Sequence, residues 1–185
     1  HADAQQLLAN MHNLLQNDLS VIVYNFVDML SHARTEMEVI KELADDEPAY
    51  RSITSSWFDH SPLLDAIKYL SSKKVKLVIT TDHGSVKVDN AVKIVGDKDT
   101  TTNLRYKTGK RMTYDPKEVF EIAKPSDALL PTQHVSSRFV FSKENDFFVY
   151  PNNLNHYAKY YKDTFQHGGI SMEEMLIPLI VLEPK

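Results

Sequence analysis

The chain is expected to fold as an α/β protein, with a parallel sheet covered by helices on both faces. Helical stripes alternate with β-branched apolar runs through its first half, as in strand–helix–strand units. The run Leu19–Val27 is apolar almost without interruption, as strands buried on both faces are. Its 185 residues, 42% hydrophobic and 25% charged, suffice for one domain with a sizeable core.

Taken in order, Leu7, Leu8, Met11, Leu14 and Leu15 share a helical stripe over about residues 3–17, which Asn17-Asp18 ends. Leu19–Val27 then reads as a buried parallel strand. Helical spacing returns from Ser31 to Leu43, with Met37, Ile40 and Leu43 available for packing, and Asp45-Asp46-Glu47-Pro48 closes it. A polar and aromatic loop is expected through Trp57. Ser61-Pro62 joins a capping hydroxyl to a proline at the first helical position, starting a helix that runs to about Ser71. Val75–Thr80 is the next strand. Residues 86–114 lack helical spacing, and their Thr-rich character with Gly96 and Gly109 suggests a hairpin or a mobile insertion. Asp115-Pro116 is expected to open a short helix that Lys124-Pro125 ends. Phe139–Phe141 and Phe147–Tyr150 read as a hairpin across Ser142-Lys143-Glu144-Asn145-Asp146. A short helix over Asn152–Tyr161 follows, then a last strand Leu176–Leu182, near a sheet edge because Pro178 removes a ladder donor.

A net charge of −4 gives no electrostatic footprint of a duplex-binding protein, so duplex DNA is not expected as a partner. The absence of cysteine excludes disulfides and thiolate metal sites, leaving His, Asp and Glu to hold any metal. That composition suits the cytoplasm. No signal-peptide pattern opens the chain and no apolar stretch approaches the ~18 residues of a membrane span, so no membrane association is expected. The chain begins without Met, directly in helical spacing, and reads as a cut through a larger protein.

Three segments carry chemistry. Thr81-Asp82-His83-Gly84 follows an apolar strand and sets a carboxylate beside an imidazole, with a glycine to release the turn. Asp28 and His32 stand in the i, i+4 relation that places both on one face if the segment is helical. Thr164-Phe165-Gln166-His167-Gly168-Gly169-Ile170-Ser171 sets a His before paired glycines that let backbone fold close around it. Each admits a plainer reading: an Asp turn, a helix cap with a surface His, and a turn with an exposed His. In open parallel sheets ligands gather beyond the carboxyl ends of strands, where all three are expected.

Together these motifs resemble the alkaline phosphatase superfamily. The wording of Tyr24-Asn25-Phe26-Val27-Asp28-Met29-Leu30-Ser31-His32 and of Phe165-Gln166-His167-Gly168-Gly169-Ile170-Ser171-Met172-Glu173-Glu174-Met175 is similar to its PglZ branch, most narrowly the effector domain of PorX-type response regulators of type IX secretion. The resemblance covers essentially all of the chain, residues 1–185, with 86–114 a candidate insertion. It implies a three-layer α/β/α sandwich, alkaline phosphatase-like and incomplete at its N-terminus. It also implies two zinc ions, with Asp28, His32 and His167 matching the ligands of one and Asp82 and His83 matching two ligands of the other. Two ions ~4 Å apart clamp a phosphoryl group between attacking and leaving oxygens.

That superfamily places a further Asp and a Thr or Ser nucleophile upstream of Asp28. Only one helix stands there in this chain, and Thr35, Thr80 and Thr81 lie after or beside the ligands. The first metal site is therefore expected to be complete, the second short of ligands, and this piece alone inert. The resemblance implies a metal-dependent phosphodiesterase or phosphatase, acting on cyclic or linear oligonucleotides. The rival is a regulatory binding module with a structural metal, contacting a sigma factor or secretion component; a homodimer is compatible with either. The basic stretch 103–111 offers Arg105, Tyr106, Lys107 and Lys110 to phosphate oxygens or a base, or else forms a solvated turn. His12, His60, His134 and His156 have no partner motif and are read as structural or surface residues.

Overall fold

The structure is a computed structural model that describes residues 2–44, 46–132, 134 and 136–184. Its helices are α1 (Ala2–Leu14), α2 (Phe26–Glu36), α3 (Glu38–Leu43), α4 (Glu47–Asp59), α5 (Pro62–Ser71), α6 (Leu154–Tyr161) and α7 (Met172–Met175). Its strands are β1 (Leu77–Thr80), β2 (Val86–Lys87), β3 (Asn90–Lys93), β4 (Val95–Gly96), β5 (Tyr106–Gly109), β6 (Met112–Thr113), β7 (Val119–Ile122), β8 (Arg138–Ser142), β9 (Asp146–Val149), β10 (Phe165–Gln166) and β11 (Leu179–Leu182). They divide into two compact units, His1–Thr80 with Leu179–Lys185, and Thr81–Pro178. Among the described residues no helix is long and apolar enough to cross a membrane.

In the first unit α1 packs against α5, where Met11 and Ala66 are buried. The Ser61 hydroxyl accepts the Leu64 N–H at 3.3 Å, the cap its sequence announces. The expected loop before it is instead helix α4. Asp46 accepts the Ala49 N–H at 2.8 Å and Pro48 occupies the first turn, so the residues read as a stop are a start. Trp57 on that helix stacks on Phe26 at 3.9 Å between ring centroids. The helix expected over Ser31–Leu43 is two, α2 and α3, parted at the extended Met37.

The strand expected over Leu19–Val27 does not form. Residues 19–25 make no ladder, and Leu19, Val21 and Val23 are 80%, 77% and 77% exposed. A β-branched run becomes a strand only where a neighbour offers an edge, and its propensity is subordinate to that context. β1 pairs antiparallel with β11, Leu77 opposite Leu182 and Thr80 opposite Leu179. The last strand thus begins just beyond Pro178, which donates nothing to a ladder.

The second unit is built around β3 and β9, which pair in parallel with Asn90 opposite Asp146. Successive side chains of a strand point to opposite faces, and both faces of β9 are buried. Phe148 and Val92 join Ile94, Val119 and Val140 in one cluster, while Phe147 and Val149 join Val86 and Val88 in another. β5, β8 and β7 form an antiparallel sheet, and β2 pairs with β10, β4 with β6.

Residues 86–114 supply the short strands β2 to β6, and Val86, Val88, Val92 and Ile94 among them lie in these clusters. The helix expected after Asp115-Pro116 is strand β7: the Asp115 carboxylate accepts the Lys117 N–H at 2.9 Å and closes a turn, and Val119-Phe120-Glu121-Ile122 pairs with β8. β8 and β9 occur where expected with a turn between them, but β8 pairs with β5 and β7 while β9 pairs with β3. Helix and strand content is that of an α/β protein. Among the described residues five small sheets form, with parallel pairing only in β3–β9, and no ladder joins them into the single layer of a three-layer sandwich.

β5 carries a buried lysine. Lys107 is 1% exposed, its Nζ donates to the Thr101 carbonyl at 2.9 Å, and it lies 4.8 Å from the Tyr150 ring centroid. Burial pushes its amine down to about 8. The unfolded chain, with an amine near ~10.4, binds more protons than the folded one between pH ~8 and ~10, so stability must rise across that window. Chemical denaturation should show this rise, at most about 1.4 kcal/mol per pH unit, and Lys107→Met should abolish it. An unchanged slope in the variant would assign the effect to another group.

Candidate functional site

In the first unit, Asp28 stands in the first turn of α2 and His32 one turn on. Their Oδ2 and Nε2 atoms lie 3.6 Å apart. Tetrahedral zinc with bonds of about 2.0–2.1 Å spaces its ligand atoms about 3.3–3.4 Å apart, so this pair is near ligand separation. The neighbouring face of α2 is anchored. Tyr50 donates to the Val27 carbonyl at 2.9 Å and shares a 2.7 Å hydrogen bond with Ser31, while Arg34 Nε donates to the Ala44 carbonyl. Burial raises the Tyr50 hydroxyl above its ordinary value, so it stays a neutral donor. The helix expected to align Asp28 and His32 forms, and their side chains are 44% and 62% exposed.

In the second unit, Asp82 and His83 follow β1 directly. The Thr81 hydroxyl donates to the His83 carbonyl at 3.0 Å and tightens the turn. His83 Nδ1 lies 2.9 Å from the Gly84 carbonyl, which only accepts, so Nδ1 is the donor of that hydrogen bond. Asp82 Oδ1 is 3.8 Å from that Nε2. Its own backbone N–H, and next the adjacent imidazole, hold the Asp82 carboxyl below the usual carboxylate range.

His167 enters from the loop after β10, and its ring stacks on that of His83, centroids 3.9 Å apart and planes 9° from parallel. Gly168 has φ +102, in the region L side chains avoid, and Asn103 Nδ2 donates to the His167 carbonyl at 3.2 Å beneath it. A Cβ at Gly84 would sit 1.9 Å from the Glu173 carbonyl oxygen. The glycines beside both histidines are therefore required by close approach or by φ. An open cleft of about 630 Å³ runs beside this loop, lined among others by Phe120, Lys143, Asn145, Ile170 and Met172.

The stretch 103–111 is not a basic surface patch. Arg105 is 0% exposed, and its guanidinium donates to both oxygens of Glu174 and to the carbonyls of Glu144 and Asp146. Lys107 is buried, and Tyr106 packs between Phe139 and Phe141. Lys110 and Arg111 are exposed. Sequence reasoning missed Glu174 and Asn103. Glu174 has a signal, the Ser171-x-x-Glu174 spacing of a capping box, and it accepts the Ser171 N–H at 3.1 Å. Asn103 has none, because its partner lies 64 residues away.

The donor set is His and Asp, with oxygen and nitrogen but no sulfur, which fits zinc and also manganese or iron. A family model, the BREX system PglZ alkaline phosphatase-like domain, matches residues 1–182. The chain belongs to the PglZ family, within the alkaline phosphatase superfamily. No curated protein matches the chain. The close approach at Gly84 gives a direct check on the local geometry. Gly84→Ala should destabilise the second unit by about 1–3 kcal/mol in thermal melts and weaken the His83–His167 ring contact in NMR spectra. A wild-type melt would mean that the Glu173 backbone gives way without cost.

Proposed function

We propose that this PglZ-family chain carries the metal ligands of a phosphoric ester hydrolase, a phosphodiesterase or phosphatase that acts on cyclic or linear oligonucleotides. The observation that carries the reading is the His83–His167 ring pair, with the Asp82 carboxylate 3.8 Å from His83 Nε2. On the family resemblance Asp28, His32 and His167 hold one ion and Asp82 and His83 hold part of the cage of the second, with zinc the metal. When bound, such ions polarise phosphoryl oxygens and stabilise charge on the attacking and leaving groups.

The chain's own part is orientation. The Gly84 carbonyl fixes the His83 tautomer, and the Asn103 amide fixes the main chain at His167. The cleft beside Ile170 supplies an apolar ring, Phe120, and a cation, Lys143, of the kinds that hold a base and a phosphate. On the same resemblance the attacking hydroxyl is that of a Thr, which residues 1–27 do not supply. The wording of the two longer motifs favours the effector of a PorX-type response regulator linked to type IX secretion as the setting, with a cytoplasmic location.

A second reading, a regulatory module that binds a sigma factor or secretion component around a structural metal, is favoured by the exposed apolar residues of the first unit. Leu19, Val21, Val23 and the whole of β11 from Leu179 to Leu182 are exposed. Metal content and hydrolysis of bis(4-nitrophenyl) phosphate, measured on the protein as the cell produces it, separate the two. His167→Ala should lower bound zinc and cut turnover at least a hundredfold, with its melting curve little changed. Absence of turnover in the metal-loaded wild type would sink the enzyme reading and leave the module.

A further inference from the structure

One buried ion pair holds the histidine corner from behind. The side chains of Arg105 and Glu174 are 0% and 1% exposed. Glu174 Oε1 accepts from Arg105 Nε at 3.0 Å and from the Gly169 N–H at 2.8 Å, while Oε2 accepts from Arg105 Nη2 at 2.9 Å and from the Ser171 N–H at 3.1 Å. The Glu174 carbonyl accepts the Gly84 N–H at 2.9 Å. One residue thus binds the main chain immediately after His83 through its carbonyl and two residues after His167 through its carboxylate. Arg105 is fixed in turn, donating to the Glu144 carbonyl at 2.8 Å and to the Asp146 carbonyl. There is no slack at the contact, since a Cβ at Gly169 would lie 2.6 Å from Glu174 Oε2.

We propose that the Arg105–Glu174 pair is the positioning element that sets how the His83 and His167 imidazoles face one another, and through them the affinity of the chain for a divalent metal. The metal half rests on the reading of the preceding subsection; the ring half does not. Buried ion pairs are often replaced by well-packed apolar residues without loss of stability, so folding alone gives weak reason for this one. What an apolar pair cannot supply is an acceptor for the Gly169 and Ser171 N–H groups, and those groups define the path of the loop that carries His167.

The test uses the double variant Arg105→Met/Glu174→Leu, with Glu174→Gln as the isosteric alternative should the double variant not fold. Zinc affinity is read by competition with a chromogenic chelator, and ring geometry by long-range ¹H–¹⁵N spectra of the imidazoles. The variant should keep a cooperative melt, bind zinc about 10–100-fold more weakly, and shift the ring nitrogens of His83 and His167 while the exposed His156 stays in place. A folded variant with wild-type zinc affinity and unmoved ring signals overturns the proposal. If the wild type itself binds no zinc, the metal reading falls, and the ring signals decide the positioning role: displaced rings uphold it and unmoved rings overturn it.

Discussion

Backbone N–H groups that leave regular structure must still find acceptors when buried, and in the unit Thr81–Pro178 one carboxylate serves several of them. The loop that carries His167 is neither strand nor helix. Its donors then depend on acceptors from elsewhere in the unit. Glu174 provides these for Gly169 and Ser171, and its carbonyl serves Gly84. A carboxylate is the group for this task, since its two oxygens accept four bonds in a plane, and a guanidinium fork takes two of the four.

That arrangement depends on the core beneath it. β9 is buried on both faces, and its parallel pairing with β3 fixes where the preceding turn lies. The turn's carbonyls at Glu144 and Asp146 face Arg105 and hold its fork. The Phe148 N–H bonds the Leu104 carbonyl at 2.8 Å, and the Ser142 N–H bonds that of Arg105 at 3.0 Å, which keeps the arginine in register with the same strands. Order passes from the Phe147 and Phe148 clusters to the turn, from the turn to Arg105, and from Arg105 through Glu174 to the histidine loops. The cost of burying the pair is met because every polar atom described above has a partner.

The sequence was most legible where one residue type admits one role. Ser61-Pro62 specifies a helix start whatever surrounds it, and the i, i+4 spacing of Asp28 and His32 is realised once α2 forms. Asp82, His83 and His167 could be picked out because the close approach at Gly84 and the positive φ at Gly168 leave their own trace beside the histidines. It was least legible where tertiary context chooses between two uses of the same residues. Asp46-Glu47-Pro48 ends or begins a helix equally well, and Val119–Ile122 fits a strand as readily as a short helix. Leu19–Val23 is strand-like in composition yet pairs with nothing among the described residues. Arg105 and Lys107 look like surface cations in a string of letters, because burial of a charge depends on acceptors dozens of residues away.

The environments of two carboxylates explain why one is a ligand candidate and the other is not. Glu174 has both oxygens filled by four donors, and although burial alone would raise its carboxyl, the Arg105 fork and the Gly169 N–H outweigh it and hold it below the usual range. A carboxylate so occupied has no lone pair to offer an ion, and withdrawing one would orphan a buried donor. Asp82 is also held ionised, but by its own backbone and the adjacent imidazole, with its side chain 87% exposed. The Thr81 hydroxyl reaches its Oδ1 at 3.4 Å, a long contact, and His83 Nε2 lies 3.8 Å away. Charge alone does not separate the two residues, since both are anionic. The separation lies in exposure and in the donors that claim each oxygen: Glu174 is buried with four, and Asp82 is open to solvent.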